Sequence, residues 1–156
     1  MSREHYLMTQ LPKEPGLREQ SFGFLIQFLA RRIDATMKEK LQPVGIDIKL
    51  FANLMMLYVQ DGVTQRELGA KLDFPEYYIS RNVDSLVREG WAERRPDPNS
   101  RRSVRIFLTP KGRDMAAKLP AIIQAANQEH LARLSRDETA TLLKLLQKTA
   151  GFAPKE

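Results

Sequence analysis

Apolar residues recur at helical spacing along most of this chain. From Leu17 to Leu41 no proline interrupts the pattern: Leu25, Phe28, Leu29 and Ile33 make one face, and Phe22, Ile26 and Met37 add a second. A helix with two apolar faces is buried twice, against its own domain and a second subunit or at the centre of a monomeric bundle; the dimer is the favoured reading. Pro43 and Gly45 end the run, Asp47 suits a helix cap, and Leu50, Phe51, Leu54, Leu57 and Tyr58 mark a core helix that stops at Asp61-Gly62. Thr64-Gln65-Arg66-Glu67 then has the spacing of a capping box, in which the threonine side chain accepts from the N–H of residue 67 while Glu67 reaches back to the N–H of Thr64. The short helix it opens carries Leu68 and Leu72, with Gly69 where a crossing helix can come close.

Pro75 suits the first position of the next helix, where Ile79, Val83, Leu86 and Val87 form an apolar stripe ending at Gly90, a left-handed cap. The opposite face holds Tyr77, Tyr78, Arg81 and Asp84, and the spacing of Asp84 and Arg88 predicts an ion pair within the helix. Two short helices with a tight connection make a helix-turn-helix pattern, a weak signal alone because many helical hairpins share it. The next segment of the chain strengthens it, because there the apolar period drops from about 3.6 to 2. Residues 91–95 and 104–108 predict two strands, with Arg101 and Arg102 near the tip of an eight-residue connection over 96–103. This is a basic, extended hairpin, a wing. Thr109-Pro110 opens a further helix whose apolar positions Met115, Leu119, Ile122, Ile123 and Ala126 continue past Pro120; a kink or a break is expected near Ala116, whose carbonyl would face a residue without an N–H. Ser135-Arg136-Asp137-Glu138 is a second capping box, and Leu142, Leu143, Leu145 and Leu146 mark the last helix. The terminal helices are too apolar for one small domain to bury, so a two-fold dimer built from the first helix and the last two is the economical solution.

The expected fold is thus mainly α with a small two-stranded wing. A winged helix-turn-helix domain spans residues 42–109, a helical dimerisation region uses both ends of the chain (17–41 and 110–150), and a flexible arm (1–16) and a tail (151–156) flank them.

Composition narrows what such a fold can do. The 156 residues are 42% apolar, enough for a core, and cysteine is absent, which excludes thiol nucleophiles, thiolate metal sites, disulfides and thiol redox sensing, and leaves the cytoplasm as the expected compartment. Met1 to Gly16 lacks the apolar stretch of a secretory signal, and no run approaches the ~18 apolar residues of a membrane span. With only His5 and His130, neither a hydrolase triad nor an H-E-x-x-H site can be assembled, and no glycine-rich phosphate loop occurs. No catalytic residue, metal ligand or cofactor is therefore expected, and His130 reads as a partly exposed helix residue. The net charge of +6 has an address: residues 94–113 hold Arg94, Arg95, Arg101, Arg102, Arg105, Lys111 and Arg113 against Asp97 alone. Charge concentrated in a hairpin beside a helix-turn-helix fits a duplex backbone better than a membrane or an acidic partner.

The segments Thr64 to Leu68, Ile79 to Leu86 followed by Glu89-Gly90-Trp91, Asp97 to Arg102, and Leu108-Thr109-Pro110-Lys111-Gly112 together resemble the MarR family of bacterial winged-helix transcriptional regulators, over roughly Leu17 to Ala150. The resemblance implies a homodimeric regulator, chiefly a repressor, that binds a pseudo-palindromic duplex site with one recognition helix in the major groove and one wing in the minor groove per subunit. It implies DNA contacts from Thr64 and Gln65 at a helix N-terminus, from Tyr77, Tyr78, Ser80 and Arg81 on the recognition helix, and from Arg101 and Arg102 on the wing. It also implies release by a small aromatic or anionic molecule, for which Phe22, Ile26, Met55 and Met56 are candidate contacts if they are not simply core. The rival reading is a dimeric small-molecule-binding protein on the same scaffold without specific DNA binding. Three positions depart from the family's pattern: Ser100 stands where an acidic residue usually braces the wing, Asn82 where the residue is usually apolar, and Tyr77-Tyr78 where small hydroxyl residues are common.

Overall fold

The structure, a computed structural model, describes residues 16–152. The predicted arm up to Pro15, with His5, and the tail from Ala153 lie outside the described residues. The chain forms two compact units, one ending at Thr36 and the other beginning at Met37.

The first unit is dominated by the opening turns of helix α1 (Phe22–Leu41). Its aromatic residues stack along the helix, with the Phe24 and Phe28 rings 5.8 Å apart and the Arg18 guanidinium 5.0 Å above the Phe24 ring. Phe22, Leu25, Ile26, Phe28, Leu29 and Ile33, all the residues of the two predicted apolar faces except Met37, are exposed in the single chain.

In the second unit, the end of α1 supplies the buried Met37 and Leu41, and a 3-10 turn (Gln42–Val44) leads to α2 (Ile48–Val59). Then come β1 (Val63–Thr64), α3 (Gln65–Leu72), α4 (Glu76–Arg88), β2 (Ala92–Asp97), β3 (Ser100–Leu108), α5 (Pro110–Ala116), α6 (Leu119–Leu131) and α7 (Arg136–Thr149). The predicted apolar stripes meet in one core, where Leu41, Leu54, Leu57, Leu68, Ile79, Val83, Leu86, Ile106 and Leu119 are fully buried. Helix starts are set locally, as their sequences suggest. Asp47 accepts from the Lys49 N–H at 2.9 Å, and Thr64 and Ser135 each form the reciprocal capping box with Glu67 and Glu138. In both boxes the backbone N–H given to the glutamate holds its carboxyl below the usual range. The helix after the wing breaks as expected: α5 stops at Ala116 and α6 resumes at Leu119, with Pro120 in its first turn.

Three expectations need correction. Pro75 is the cap residue of α4 and not its first helical residue; its carbonyl accepts from Tyr78 and Ile79, so the helix begins at Glu76 without a side-chain cap. The sheet has three strands in the order β1-β3-β2, because Val63 and Thr64 pair with Ile106 and Arg105. The predicted eight-residue connection over 96–103 is instead a two-residue turn, Pro98-Asn99, between longer strands, with Asp97 opposite Ser100. Two local features allow this: β2 is an edge strand, where Pro96 deprives no partner of an N–H, and the Asp97 carboxylate accepts from the Asn99 N–H at 3.0 Å to close the turn. The register slips between Pro96, opposite Val104, and Asp97, opposite Ser100, so Arg101, Arg102 and Ser103 form a bulge in β3.

The hairpin is rooted in the Leu-Thr-Pro-Lys-Gly segment. Gly90 has φ +73°, and with Trp91 N–H donating to Leu86 O and Gly90 N–H to Val87 O, the end of α4 is a Schellman cap. Thr109 then donates its N–H to Trp91 O and its hydroxyl to Gly90 O at 2.6 Å, while accepting from Gly112 N–H. Lys111 Nζ donates to Glu89 O at 2.9 Å. Gly112 lies so close that an added Cβ would sit 1.8 Å from Trp91 O, so only glycine fits there.

Candidate nucleic-acid interface

Three elements project the polar groups singled out in the sequence, and all three are positioned by the core beneath them. At α3 the capping box uses the Thr64 oxygen as an acceptor for Glu67 N–H at 3.1 Å, while the Thr64 N–H donates to the Glu67 carboxylate at 2.8 Å. Gln65 follows at the first helical position, half-buried. α4 crosses α3 closely at Gly69, where an added Cβ would meet Phe74 O at 3.0 Å and the Ile79 side chain at 3.5 Å. With Ile79, Val83 and Leu86 in the core, the face of α4 carrying Tyr77 and Arg81 is turned outward.

The two tyrosines differ. Tyr77 is 68% exposed, whereas Tyr78 is half-buried with its ring edge-on to Phe74, the centroids 5.1 Å apart. Ser80 is half-buried and Arg81 exposed, and neither Tyr77 nor Arg81 has a side-chain bond among the described residues. Asn82, unexpectedly polar by the family's pattern, is buried and donates to Lys49 O at 3.0 Å, anchoring α4 to the first turn of α2. Its place in the recognition helix is therefore structural.

Asp84 corrects another expectation. It pairs with Arg94 of β2 and not with Arg88, because the hairpin brings Arg94 against the outer side of α4. Arg94 also donates to Gln65 Oε1 at 3.2 Å. Most other cations of the basic segment are similarly engaged. Arg95 pairs with Glu93 and lies 4.3 Å above the Phe107 ring; Arg105 pairs with Asp97 at 3.1 Å and donates to Gly62 O; Arg113 pairs with Asp61 at 2.9 Å. Asp97, at 7% exposure, is thus the brace that Ser100 does not provide: the Asn99 N–H and the Arg105 guanidinium hold its carboxyl below the usual range. Arg101 and Arg102 have no bond or ion pair among the described residues and are exposed.

Between hairpin and helices lies a cleft of about 330 Å³, lined by Thr64, Gln65, Arg66, Glu76, Arg94 and Arg102. It gathers the α3 cap, the start of α4 and one wing arginine around a basic concavity, with Glu76 the one carboxylate among these residues. Thr64, Gln65 and Arg102 are thereby brought together, while Tyr77, Tyr78, Ser80, Arg81 and Arg101 do not line it. Sequence reasoning missed Arg66 and Arg94; Arg66, one residue beyond the capping threonine and glutamine, was detectable as a cation in the first turn of a helix.

The effector candidates are more dispersed. Met55 lines an open cleft of about 620 Å³ with Pro120, Ile123, Gln124, Asn127, Gln128 and Leu131. Met56 packs half-buried against the core, and Phe22 and Ile26 are exposed on α1. His130 is half-buried in α6, and among the described residues no three potential metal ligands cluster and no helix is long and apolar enough to cross a membrane.

Comparison with known proteins gives one consistent result. A sequence model described as the MarR family matches residues 51–103. The multiple antibiotic resistance protein MarR of Escherichia coli K12 is 33% identical over 127 residues, spanning 81% of this chain and 88% of that protein. The HTH-type transcriptional regulator BilQ of Clostridium symbiosum is 29% identical over 130 residues, 83% of this chain and 90% of that one. Among solved structures, a mutant E. coli MarR complexed with operator DNA superposes with a TM-score of 0.77 at 33% identity, covering 81% of this chain and 91% of that one.

Proposed function

Because this chain belongs to the MarR family of transcriptional regulators, we propose that it binds double-stranded DNA as a homodimer and acts chiefly as a repressor. Each subunit places α4 in the major groove, where Arg81 can bond guanine O6 and N7 and Tyr77, Tyr78 and Ser80 contact base edges or phosphate, and extends Arg101 and Arg102 toward the adjacent minor groove. Thr64 and Gln65 contact phosphate at the N-terminus of α3. The observation that carries this reading is the selective lack of protein partners at Arg101 and Arg102 beside a basic cleft, while the other cations of the segment are engaged internally. An internally paired arginine braces; an unpaired one awaits an anion.

Dimerisation uses α1 with α6 and α7, and the exposed Phe22, Leu25, Phe28, Leu29 and Ile33, with Leu143 and Leu145 on the last helix, support it. The protein works in the cytoplasm and has no catalytic activity. Binding of a small molecule releases it from DNA. The Met55 cleft, lined by amides and apolar groups without a cation, favours an aromatic, uncharged effector over an anionic one.

The deciding experiment is a salt titration of binding to genomic fragments against random DNA. A preference that survives at physiological salt, with a two-fold footprint whose half-sites lie about 10 base pairs apart, is expected. Equal binding to all sequences, an asymmetric footprint, or a chain monomeric at micromolar concentration overturns the proposal. Equal, weak DNA binding together with tight binding of an aromatic ligand would instead establish the rival, a small-molecule-binding protein on this scaffold.

A further inference from the structure

We propose that Arg94 is a positioning residue for DNA reading: it ties the hairpin to both helices of the helix-turn-helix and sets the width of the cleft, without itself holding phosphate. This assignment rests on the regulator reading above. Arg94 sits in the middle of β2, opposite Ile106, and its Nη2 donates both to Asp84 Oδ1 on the third turn of α4 and to Gln65 Oε1 at the start of α3. These anchors belong to the elements that carry the candidate contacts. Among the described residues no other side chain bonds to both helices.

Charge and geometry separate this role from that of its neighbours in the cleft. Arg66 and Arg102 line the same concavity with no acceptor among the described residues, so their charges are available to a polyanion. The charge of Arg94 is already compensated by the Asp84 carboxylate, and its side chain is two-thirds covered. Both bonds leave the one nitrogen Nη2, which the planar guanidinium holds in a fixed orientation and one bond further from the backbone than a lysine ammonium would sit, so an ammonium at the same place reaches both acceptors poorly. Without that tie, core packing and the root still join the hairpin to α4, but no side-chain bond from the middle of the hairpin sets the span between Arg81 and Arg102.

The test compares the unaltered chain with Arg94→Lys, Asp84→Asn and the double variant. Each is titrated with its preferred duplex, obtained by selection from random DNA, and with random duplex, across a range of salt. Positioning predicts that each single change lowers the ratio of preferred to random affinity by about tenfold, and that the double variant is no worse than the poorer single one, because both sever the same link. It also predicts an unchanged salt slope for Arg94→Lys and nearly unchanged melting temperatures. Arg94→Lys binding both duplexes like the unaltered chain, or Asp84→Asn raising affinity for both with the ratio intact, would identify Arg94 as a phosphate contact restrained by Asp84 and overturn the assignment. If the unaltered chain selects no preferred duplex, the regulator reading falls and this assignment with it; a preferred duplex unaffected by either variant overturns this assignment alone.

Discussion

The root of the hairpin and its far end are built from similar residues and treated oppositely. At the root, Lys111 is bonded to the end of α4, Arg113 to Asp61, and Gly112 is pressed against the Trp91 carbonyl. Further out, Arg94, Arg95 and Arg105 each have a carboxylate. Only in the bulge beyond, at Arg101 and Arg102, does the pairing stop. A sequence segment carrying the whole chain's net charge therefore offers solvent far fewer unpaired cations than its composition suggests. The root contributes rigidity and the far end contributes charge, so substitutions in the two places should separate stability from binding.

The harshest test of the root is Gly112→Ala. A methyl placed 1.8 Å from a backbone oxygen has nowhere to go unless α5 and the Trp91 segment move apart, and overpacking of this kind costs about 3 kcal/mol or more. Denaturant unfolding should report that loss, and any loss of DNA affinity should disappear once the unfolded fraction is allowed for. Unfolding unchanged from the unaltered chain would mean that the root is not the rigid joint described.

Arg81→Ala probes the recognition helix, where the side chain is exposed and unbonded among the described residues. It should leave unfolding unaltered yet cost ~1–3 kcal/mol of affinity, chiefly on the preferred duplex. Equal weakening on every sequence would demote Arg81 from base contact to phosphate contact.

Asp97 stands at the far end too, opposite Ser100 beside the turn, but it braces the hairpin. Replacing it with asparagine keeps an acceptor for Asn99 N–H but removes the charge that pairs with Arg105, so a stability loss smaller than that of Gly112→Ala is expected. Because folding depresses its carboxyl, first through the Asn99 N–H and then through Arg105, the stabilisation is fully present above the ordinary value of 3.8 and lost as pH falls through the lower folded value. Unfolding midpoints measured from pH 5 downward should fall less steeply in Asp97→Asn. Parallel acid limbs would show that the brace does not depend on charge.

How much of this could be read from the chain depended on the distance over which each interaction acts. Both capping boxes, the Asp47 cap, the Gly90 terminus and the break before Pro120 were legible, because each is decided within about five residues by side chain or backbone chemistry. The two-residue β1 was not, since Val63 and Thr64 become a strand only by meeting Ile106 and Arg105 far along the chain. The same limit misdirected Asp84. Spacing offered Arg88 one helical turn away, and the fold supplied Arg94 from another element. For the candidate site, the exposed face of α4 and the wing arginines came from periodicity, but their separation into engaged and unengaged cations required the hairpin's register. Ser100 illustrates the point: the family's pattern predicts a missing brace, and Asp97, held against Arg105 across the hairpin, supplies one.

The smallest and most discriminating effect belongs to Arg102→Ala. The side chain is exposed, lines the basic cleft and makes no bond among the described residues, so its removal should change unfolding by no more than about 0.5 kcal/mol. If the guanidinium neutralises one phosphate, its loss releases one fewer counterion on binding, and the log–log dependence of affinity on salt should flatten by about one unit on preferred and random duplexes alike. That signature differs from the one expected of Arg94→Lys, which keeps the charge and so the slope while losing discrimination. Two arginines eight positions apart on one hairpin should therefore fail in opposite ways, one in salt dependence and the other in specificity. Should Arg102→Ala leave the slope untouched, the far end of the hairpin does not reach the phosphates, and the division of labour between root and end must be redrawn.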